Sequence, residues 1–149
     1  MKKLLEVLDA IYKNLEQEIG SLEKPPICKA CGECCDFSKF EHTPFITKSE
    51  LKNIEVALTQ NKELLEEAAK PKPINFCAFY RDRRCIAHKI RPLSCRVFFC
   101  DSKYAAEHTS KIYEKYHKLI KNLHLRFEVE YSYQPLVSAL DRLITELLR

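Results

Sequence analysis

The stretch that decides the fold is CKACGECC, residues 28–35, which places four thiols within eight residues. Its cysteines are Cys28, Cys31, Cys34 and Cys35. A two-residue spacer lets neighbouring thiolates reach one metal ion, and Gly32 eases the tight turn that this requires. Three cysteines at C-x2-C-x2-C are more typical of iron–sulfur ligation than of a zinc ribbon, which pairs two and two. Consecutive side chains diverge in extended backbone, so Cys34 and Cys35 are expected to serve different sites or to leave one thiol spare.

A second group of cysteines follows at wider spacing. Its members are Cys77, Cys85, Cys95 and Cys100. Acidic residues interrupt any apolar signal segment near the N-terminus, so we expect a cytoplasmic protein. Disulfides do not persist in a reducing cytosol, where clustered cysteines are more often metal ligands or catalytic thiols. The eight cysteines suit two four-ligand sites, or one site with spare thiols. A disulfide framework is the alternative if the compartment is oxidising.

Basic residues crowd the second cysteine group. They are Arg81, Arg83, Arg84, Lys89, Arg91 and Arg96, against a single acid, Asp82. A positive field of this kind would stabilise thiolates or a net-negative metal centre, and we assign Arg91 and Arg96 to cofactor binding. The alternatives are a phosphate-contacting patch for nucleic acid and a solvated basic face. No second histidine stands at ligand spacing from His88, so His88 is expected at the surface or behind the metal ligands.

Composition and periodicity predict one mainly helical domain spanning residues 1–149. The chain has 46% apolar residues, enough for a core, and only two glycines, too few for a turn-rich β-sandwich. It divides into an N-terminal helix (1–21), a cysteine-cluster core (27–100), and a helix, strand and helix (102–149). Apolar residues three and four apart predict the first helix from Lys2 to about Ile19. No apolar run is long enough to span a membrane.

Three further elements complete the predicted fold. Thr47 and Glu50 form a capping box that begins a helix, with a break near Asn61 and an end before Pro71. Another helix is predicted from about Ser102 to Lys121, and Pro135 begins the last one. The alternation of apolar and polar residues over 123–133 predicts a strand, paired with Phe37–Ile46 or Ile74–Tyr80. The predicted fold class is therefore mainly α with a small β component, compact around an irregular cysteine-rich metal-binding centre.

The two cysteine groups together resemble the CxxCxxCC family, the YkgJ-like cysteine-cluster proteins, described as candidate zinc- or iron-chelating domains. The resemblance covers about residues 27–100 and includes Arg84-Cys85-Ile86 and Arg91-Pro92-Leu93-Ser94-Cys95-Arg96. It implies metal chelation by all eight cysteines: Cys28, Cys31, Cys34, Cys35, Cys77, Cys85, Cys95 and Cys100. Larger relatives are implicated in methylating lysines of flagellin with an iron–sulfur centre. This chain is shorter, without a separate methyl-donor domain, and reads Cys85-Ile86-Ala87-His88-Lys89 where relatives carry Cys-x-Ile-Tyr-Glu.

The expected function is metal binding, with an iron–sulfur cluster of the 4Fe-4S type favoured over zinc. One alternative is a structural zinc module that binds a protein or, less favoured, a nucleic-acid partner. Another is a redox or methyltransferase-like protein-modifying enzyme, for which the sequence names no catalytic residue. The sequence leaves the substrate and the oligomeric state open, and it gives no reason to expect a membrane partner.

Overall fold

The structure is a computed structural model that describes residues 1–28, 35–37 and 43–149. It is 62% helical with a few short strands, roughly twice the helix content of an average globular protein. This confirms the predicted class, mainly α with a small β component. Cys31, Gly32 and Cys34 lie outside the described residues, so the cysteine-rich centre stays a prediction.

The helices follow one another around two short antiparallel ladders. In chain order they are α1 (Lys2–Gly20), α2 (Lys48–Gln60), α3 (Lys62–Ala68), α4 (Leu93–Val97), α5 (Ser102–Tyr104), a π-helical turn (Ala105–Thr109), α6 (Ser110–Arg126) and α7 (Leu136–Leu147). The strands are β1 (Phe45–Thr47), β2 (Tyr80–Arg81), β3 (Arg84–Cys85) and β4 (Tyr133–Pro135). Strand β1 pairs with β4 and β2 pairs with β3. None of the helices described is long and apolar enough to cross a membrane.

Helix α1 forms where the sequence predicts it, because its apolar residues recur every three or four positions. Its buried face is Leu4, Leu8, Tyr12, Leu15 and Ile19. This face packs against α4 and α6 in one core cluster. Full burial of each such side chain is worth about 1.5–3 kcal/mol, so the stripe holds α1 on the other two helices.

Helix α2 begins at the predicted capping box. The Thr47 hydroxyl accepts a hydrogen bond from the Glu50 amide, and the Glu50 carboxylate accepts one from the Thr47 amide. The predicted break also occurs, with Asn61 ending α2 and capping α3 through its side chain. Helices α2 and α7 pack in a second core cluster, which also holds the chain around Cys77.

The strand predicted over 123–133 is wrong for most of its length. Helix α6 continues to Arg126, and only Tyr133–Pro135 is strand, paired with Phe45–Thr47. The apolar stripe of α6 keeps its helical spacing through Ile120 to Leu123, so the last helical turn was mistaken for alternation. His124, expected on a polar strand face, is 1% exposed. Its Nε2 accepts from the Ser49 amide at 3.2 Å and its Nδ1 lies 2.9 Å from the Ile120 carbonyl, so Nδ1 carries the proton.

The carboxylate of Glu50 joins three helices although the residue is only 2% exposed. One oxygen, Oε1, accepts from the Tyr12 hydroxyl of α1 at 2.9 Å and from the Leu93 amide of α4 at 2.6 Å. The other, Oε2, accepts from the amide and hydroxyl of Thr47 at 3.1 and 2.9 Å. Burial, followed by the charge of Glu50, raises the pKa of Tyr12 well above its ordinary value, so Tyr12 remains a donor. The sequence predicted the cap but not the bonds to α1 and α4.

We predict that Glu50→Ala lowers the free energy of unfolding by about 3–5 kcal/mol. The change removes a cap and leaves the Tyr12 hydroxyl and Leu93 amide without their buried acceptor. Urea unfolding followed by circular dichroism measures the loss. The control is Glu55→Ala in the same helix, which breaks a surface pair with Lys52 and should cost less than about 1 kcal/mol. Equal losses in the two variants would contradict the joining role of Glu50.

Candidate metal centre

The structure describes six of the predicted cysteine ligands, and they differ widely in burial. Cys35 and Cys77 are 7% and 5% exposed. Cys85 and Cys95 are half-buried, and both pack against the same core cluster that contains Cys35 and Cys77. Cys28 and Cys100 are exposed. The fold therefore brings one cysteine of the first group and three of the second to one core, and Cys31 and Cys34 lie outside the described residues.

Backbone pairing joins the two cysteine groups directly. The Cys77 amide donates to the Cys35 carbonyl at 3.2 Å, and the Phe37 amide donates to the Asn75 carbonyl at 3.2 Å. Asp36 and Phe76 form an isolated antiparallel bridge between these two bonds. Residues 42 positions apart in sequence, Cys35 and Cys77, are thereby held side by side.

A tight hairpin then returns the chain toward Cys77. Strands β2 and β3 pair Tyr80 with Cys85, and Asp82 and Arg83 at the turn both have positive φ, as a type I′ turn requires. The Phe79 amide donates to the Cys77 sulfur at 3.5 Å. Hydrogen bonds donated to a metal ligand orient that ligand and tune the metal, so the environment of Cys77 suits a metal-bound thiolate.

Three of the cationic side chains in this region donate hydrogen bonds to main-chain carbonyls; they are Arg81, Arg91 and Arg96. Arg81 donates to the carbonyls of Glu67, Lys70 and Tyr80. Arg91 donates to the His88 carbonyl at 2.9 Å and the Cys95 carbonyl at 3.3 Å. These guanidinium groups hold the loops around the cysteines, which leaves fewer cations for a phosphate-contacting patch.

Arg96 is the most deeply engaged of these cations. Its guanidinium donates to the Lys89 carbonyl at 2.7 Å, the Arg91 carbonyl at 2.6 Å and the Glu16 carboxylate at 2.7 Å. It also lies 3.9 Å from the centre of the Tyr12 ring. Burial lowers the pKa of Arg96 from its ordinary value. The contacts assign Arg96 to positioning the 88–96 segment, and the predicted cofactor contacts of Arg91 and Arg96 stay predictions.

His88 lies beside Cys28, at the start of a 3₁₀ turn (His88–Ile90). The Cys28 sulfur and His88 Nε2 are 3.3 Å apart. Burial, followed by the charges of Arg91 and Arg96, lowers the pKa of His88, which favours the neutral imidazole that metals bind. The expectation that His88 lies at the surface or behind the metal ligands stays a prediction, and its contact with Cys28 joins residues 60 positions apart, which no local pattern in the sequence indicates.

The residues that the structure pairs, Cys28 with His88 and Cys35 with Cys77, carry side chains of kinds that bind metals. Thiolate and imidazole are donors that suit zinc and iron–sulfur centres, and the Cys77 sulfur receives an amide hydrogen bond. Within residues 1–28, 35–37 and 43–149, no three side chains of His, Cys, Asp or Glu are grouped to hold a metal ion. Cys31 and Cys34 are the cysteines beyond the described ranges.

Comparison with known families decides the assignment. The family model CxxCxxCC, described as "Putative zinc- or iron-chelating domain", matches residues 27–121. The chain belongs to the CxxCxxCC family. The match covers both cysteine groups and extends past Cys100 into α6, further than the sequence motifs alone indicated. No curated protein and no solved structure matches the chain. Membership supports metal binding and leaves the choice between zinc and iron open.

We predict that Arg96→Lys lowers the free energy of unfolding by about 2–3 kcal/mol, because an ammonium cannot reproduce the fork that binds two carbonyls and Glu16. The matched control is Arg84→Lys, at an exposed position of β3, which should change stability by less than about 0.5 kcal/mol. Urea unfolding of both variants tests the difference. A loss for Arg96→Lys no larger than the control's would mean that the guanidinium contacts do not stabilise the segment.

Proposed function

We propose that the chain binds a metal centre through its clustered cysteine thiolates, and that this centre is an iron–sulfur cluster. The proposed ligands are drawn from Cys28, Cys31, Cys34, Cys35, Cys77, Cys85, Cys95 and Cys100. The observation that carries the proposal is the backbone pairing of Cys35 with Cys77, since it joins the two cysteine groups of a zinc- or iron-chelating family. Burial of both residues in one core with Cys85 and Cys95 packed against it supports it further.

The preference for an iron–sulfur cluster rests on the spacing of the first group. Three cysteines at two-residue intervals are typical of clusters, and we propose the 4Fe-4S type. Zinc is the alternative, because thiolate ligation suits both metals. The positive side chains around the second cysteine group would stabilise either kind of metal centre, since a four-thiolate zinc site and a resting four-iron cluster are both net negative.

A metal would also account for how the middle of the chain holds its shape. Between α3 and α4 the described structure has only two-residue strands and a 3₁₀ turn, which bury little by themselves. Ligation of zinc supplies folding free energy of order 10 kcal/mol in small metal-dependent domains. We therefore propose that metal binding and folding of the 74–100 region are coupled.

The proposal extends to the setting of the protein. We propose a single cytoplasmic domain, because cysteines stay reduced and able to bind metal in the cytosol, and because Glu50 hydrogen-bonds from one core cluster to the other. A protein partner is proposed over a nucleic acid, because Arg81, Arg91 and Arg96 already bind carbonyl oxygens.

A cavity favours a second candidate function, a redox or protein-modifying enzyme. It measures about 550 Å³ and is lined by, among others, Tyr12, Glu16, His88, Arg91, Arg96 and Phe99. An enzyme of this kind needs room for a substrate beside its metal centre, and His88 both lines the cavity and lies 3.3 Å from the Cys28 sulfur. The cavity thus offers room for a substrate beside the proposed metal ligands.

The proposal predicts that anaerobically purified wild-type protein contains stoichiometric metal, and that Cys77→Ser lowers the metal bound per chain several-fold. Serine keeps the size of cysteine but is a poor ligand for soft metals. Elemental analysis of iron and zinc, with assay of acid-labile sulfide, makes the measurement. Iron with sulfide supports a cluster, and zinc without iron supports the alternative.

The matched control is Ala78→Ser, which places a hydroxyl in the same core at a residue 1% exposed. It carries a similar cost of burying a polar group but removes no ligand, so its metal content should equal that of the wild type. Cys31→Ser should behave as Cys77→Ser does. Full metal content in both cysteine variants would contradict the ligand assignment.

A further inference from the structure

The Cys28 thiol and the His88 imidazole are brought together by the tertiary fold. They are 60 positions apart in sequence, and their Sγ and Nε2 atoms are 3.3 Å apart. Cys28 is exposed and His88 is half-buried, so the pair lies where an ion could reach it.

The separation of the two atoms suits two ligands of one metal ion. A tetrahedral zinc ion binds sulfur at about 2.3 Å and nitrogen at about 2.0–2.1 Å, which sets neighbouring S and N ligands about 3.6 Å apart. The observed 3.3 Å is close to that edge. A small outward movement of either side chain would admit an ion between them.

Two arginines hold the main chain around His88. Arg91 donates from Nε to the His88 carbonyl at 2.9 Å, and Arg96 donates to the neighbouring Lys89 carbonyl at 2.7 Å. Arg96 is itself held by Glu16 and the Tyr12 ring of α1. A ligand on a turn held by such hydrogen bonds loses little conformational freedom when it binds a metal, which favours binding.

We infer that His88 binds the same metal ion as Cys28, through Nε2. The inference rests on the proposed function with zinc as the metal and adds a mixed thiolate–imidazole site of a kind that zinc accepts, because each iron of a 4Fe-4S cluster takes only one ligand from the protein. It makes His88 a metal ligand in addition to those drawn from the eight cysteines. It also puts one metal ligand on the wall of the cavity that Arg91 and Arg96 line.

The test is a titration of the anaerobic, metal-free full chain with Co²⁺, whose spectrum reports its ligands. Sulfur-to-cobalt charge transfer in the near ultraviolet counts thiolates, and the visible d–d bands report the mixture of sulfur and nitrogen. His88→Gln should weaken Co²⁺ binding by more than about 10-fold. Loss of a group that only supports a metal ligand already costs about 10-fold in affinity, and loss of a ligand should cost more. It should also shift the d–d bands while leaving the charge-transfer intensity unchanged.

His88→Cys should recover binding to within about 10-fold of wild type and add the charge-transfer intensity of one more thiolate. This gain tests the inference even if His88→Gln weakens folding. His108→Gln, at a histidine that pairs with neighbouring Glu107 and lies against the Tyr104 ring, is the matched control and should leave affinity and spectrum unchanged.

The outcomes separate the two claims. Wild-type affinity and d–d bands in His88→Gln, with no added thiolate signal in His88→Cys, would overturn the role of His88 and leave a thiol–imidazole hydrogen bond. A wild-type chain that shows no sulfur-to-cobalt charge transfer would overturn the inference, and if the protein as purified also held neither iron nor zinc, the proposed function would fall with it.

Discussion

The buried carboxylate of Glu50 must be hydrogen-bonded, because an unpaired charge in the interior costs several kcal/mol. Its four hydrogen bonds come from the cap of α2, the Tyr12 hydroxyl of α1 and the Leu93 amide of α4. The helix that carries Cys95 and Arg96 is therefore fixed against the two longer helices through one side chain. Removing that side chain would disturb the scaffold and the cysteine-rich segment together.

A continuous set of contacts runs from this carboxylate to the candidate metal centre. Tyr12 donates to Glu50, and its ring faces the guanidinium of Arg96. Arg96 in turn holds the carbonyls of Lys89 and Arg91, next to His88. The hairpin that holds Cys77 and Cys85 is tied separately, by Arg81 to the end of α3. Polar contacts thus position a segment that has little regular structure of its own.

Local signals in the sequence predicted what local physics decides. The capping box at Thr47, the stripe of α1 and the start of α7 after Pro135 all depend on residues within a few positions of one another, and all three are confirmed. The strand over 123–133 failed because the last turn of α6 and an alternating pattern share Leu123. The bonds of Glu50 to α1 and α4, and the approach of His88 to Cys28, depend on contacts between distant residues that periodicity does not encode. The cysteine groups were recognised because the spacing of their thiols is typical of metal ligands. Spacing alone does not determine which metal they bind.

The most direct test of the account is X-ray absorption spectroscopy of the anaerobically purified protein at the iron and zinc edges. The edge that appears identifies the metal, and the fine structure counts the atoms bound to it. The account predicts a first shell dominated by sulfur at about 2.3 Å, the length of a metal–thiolate bond. Iron neighbours in the second shell would identify a cluster. A first shell of oxygen and nitrogen without sulfur, or the absence of both metals, would contradict the claim that cysteine thiolates bind a metal.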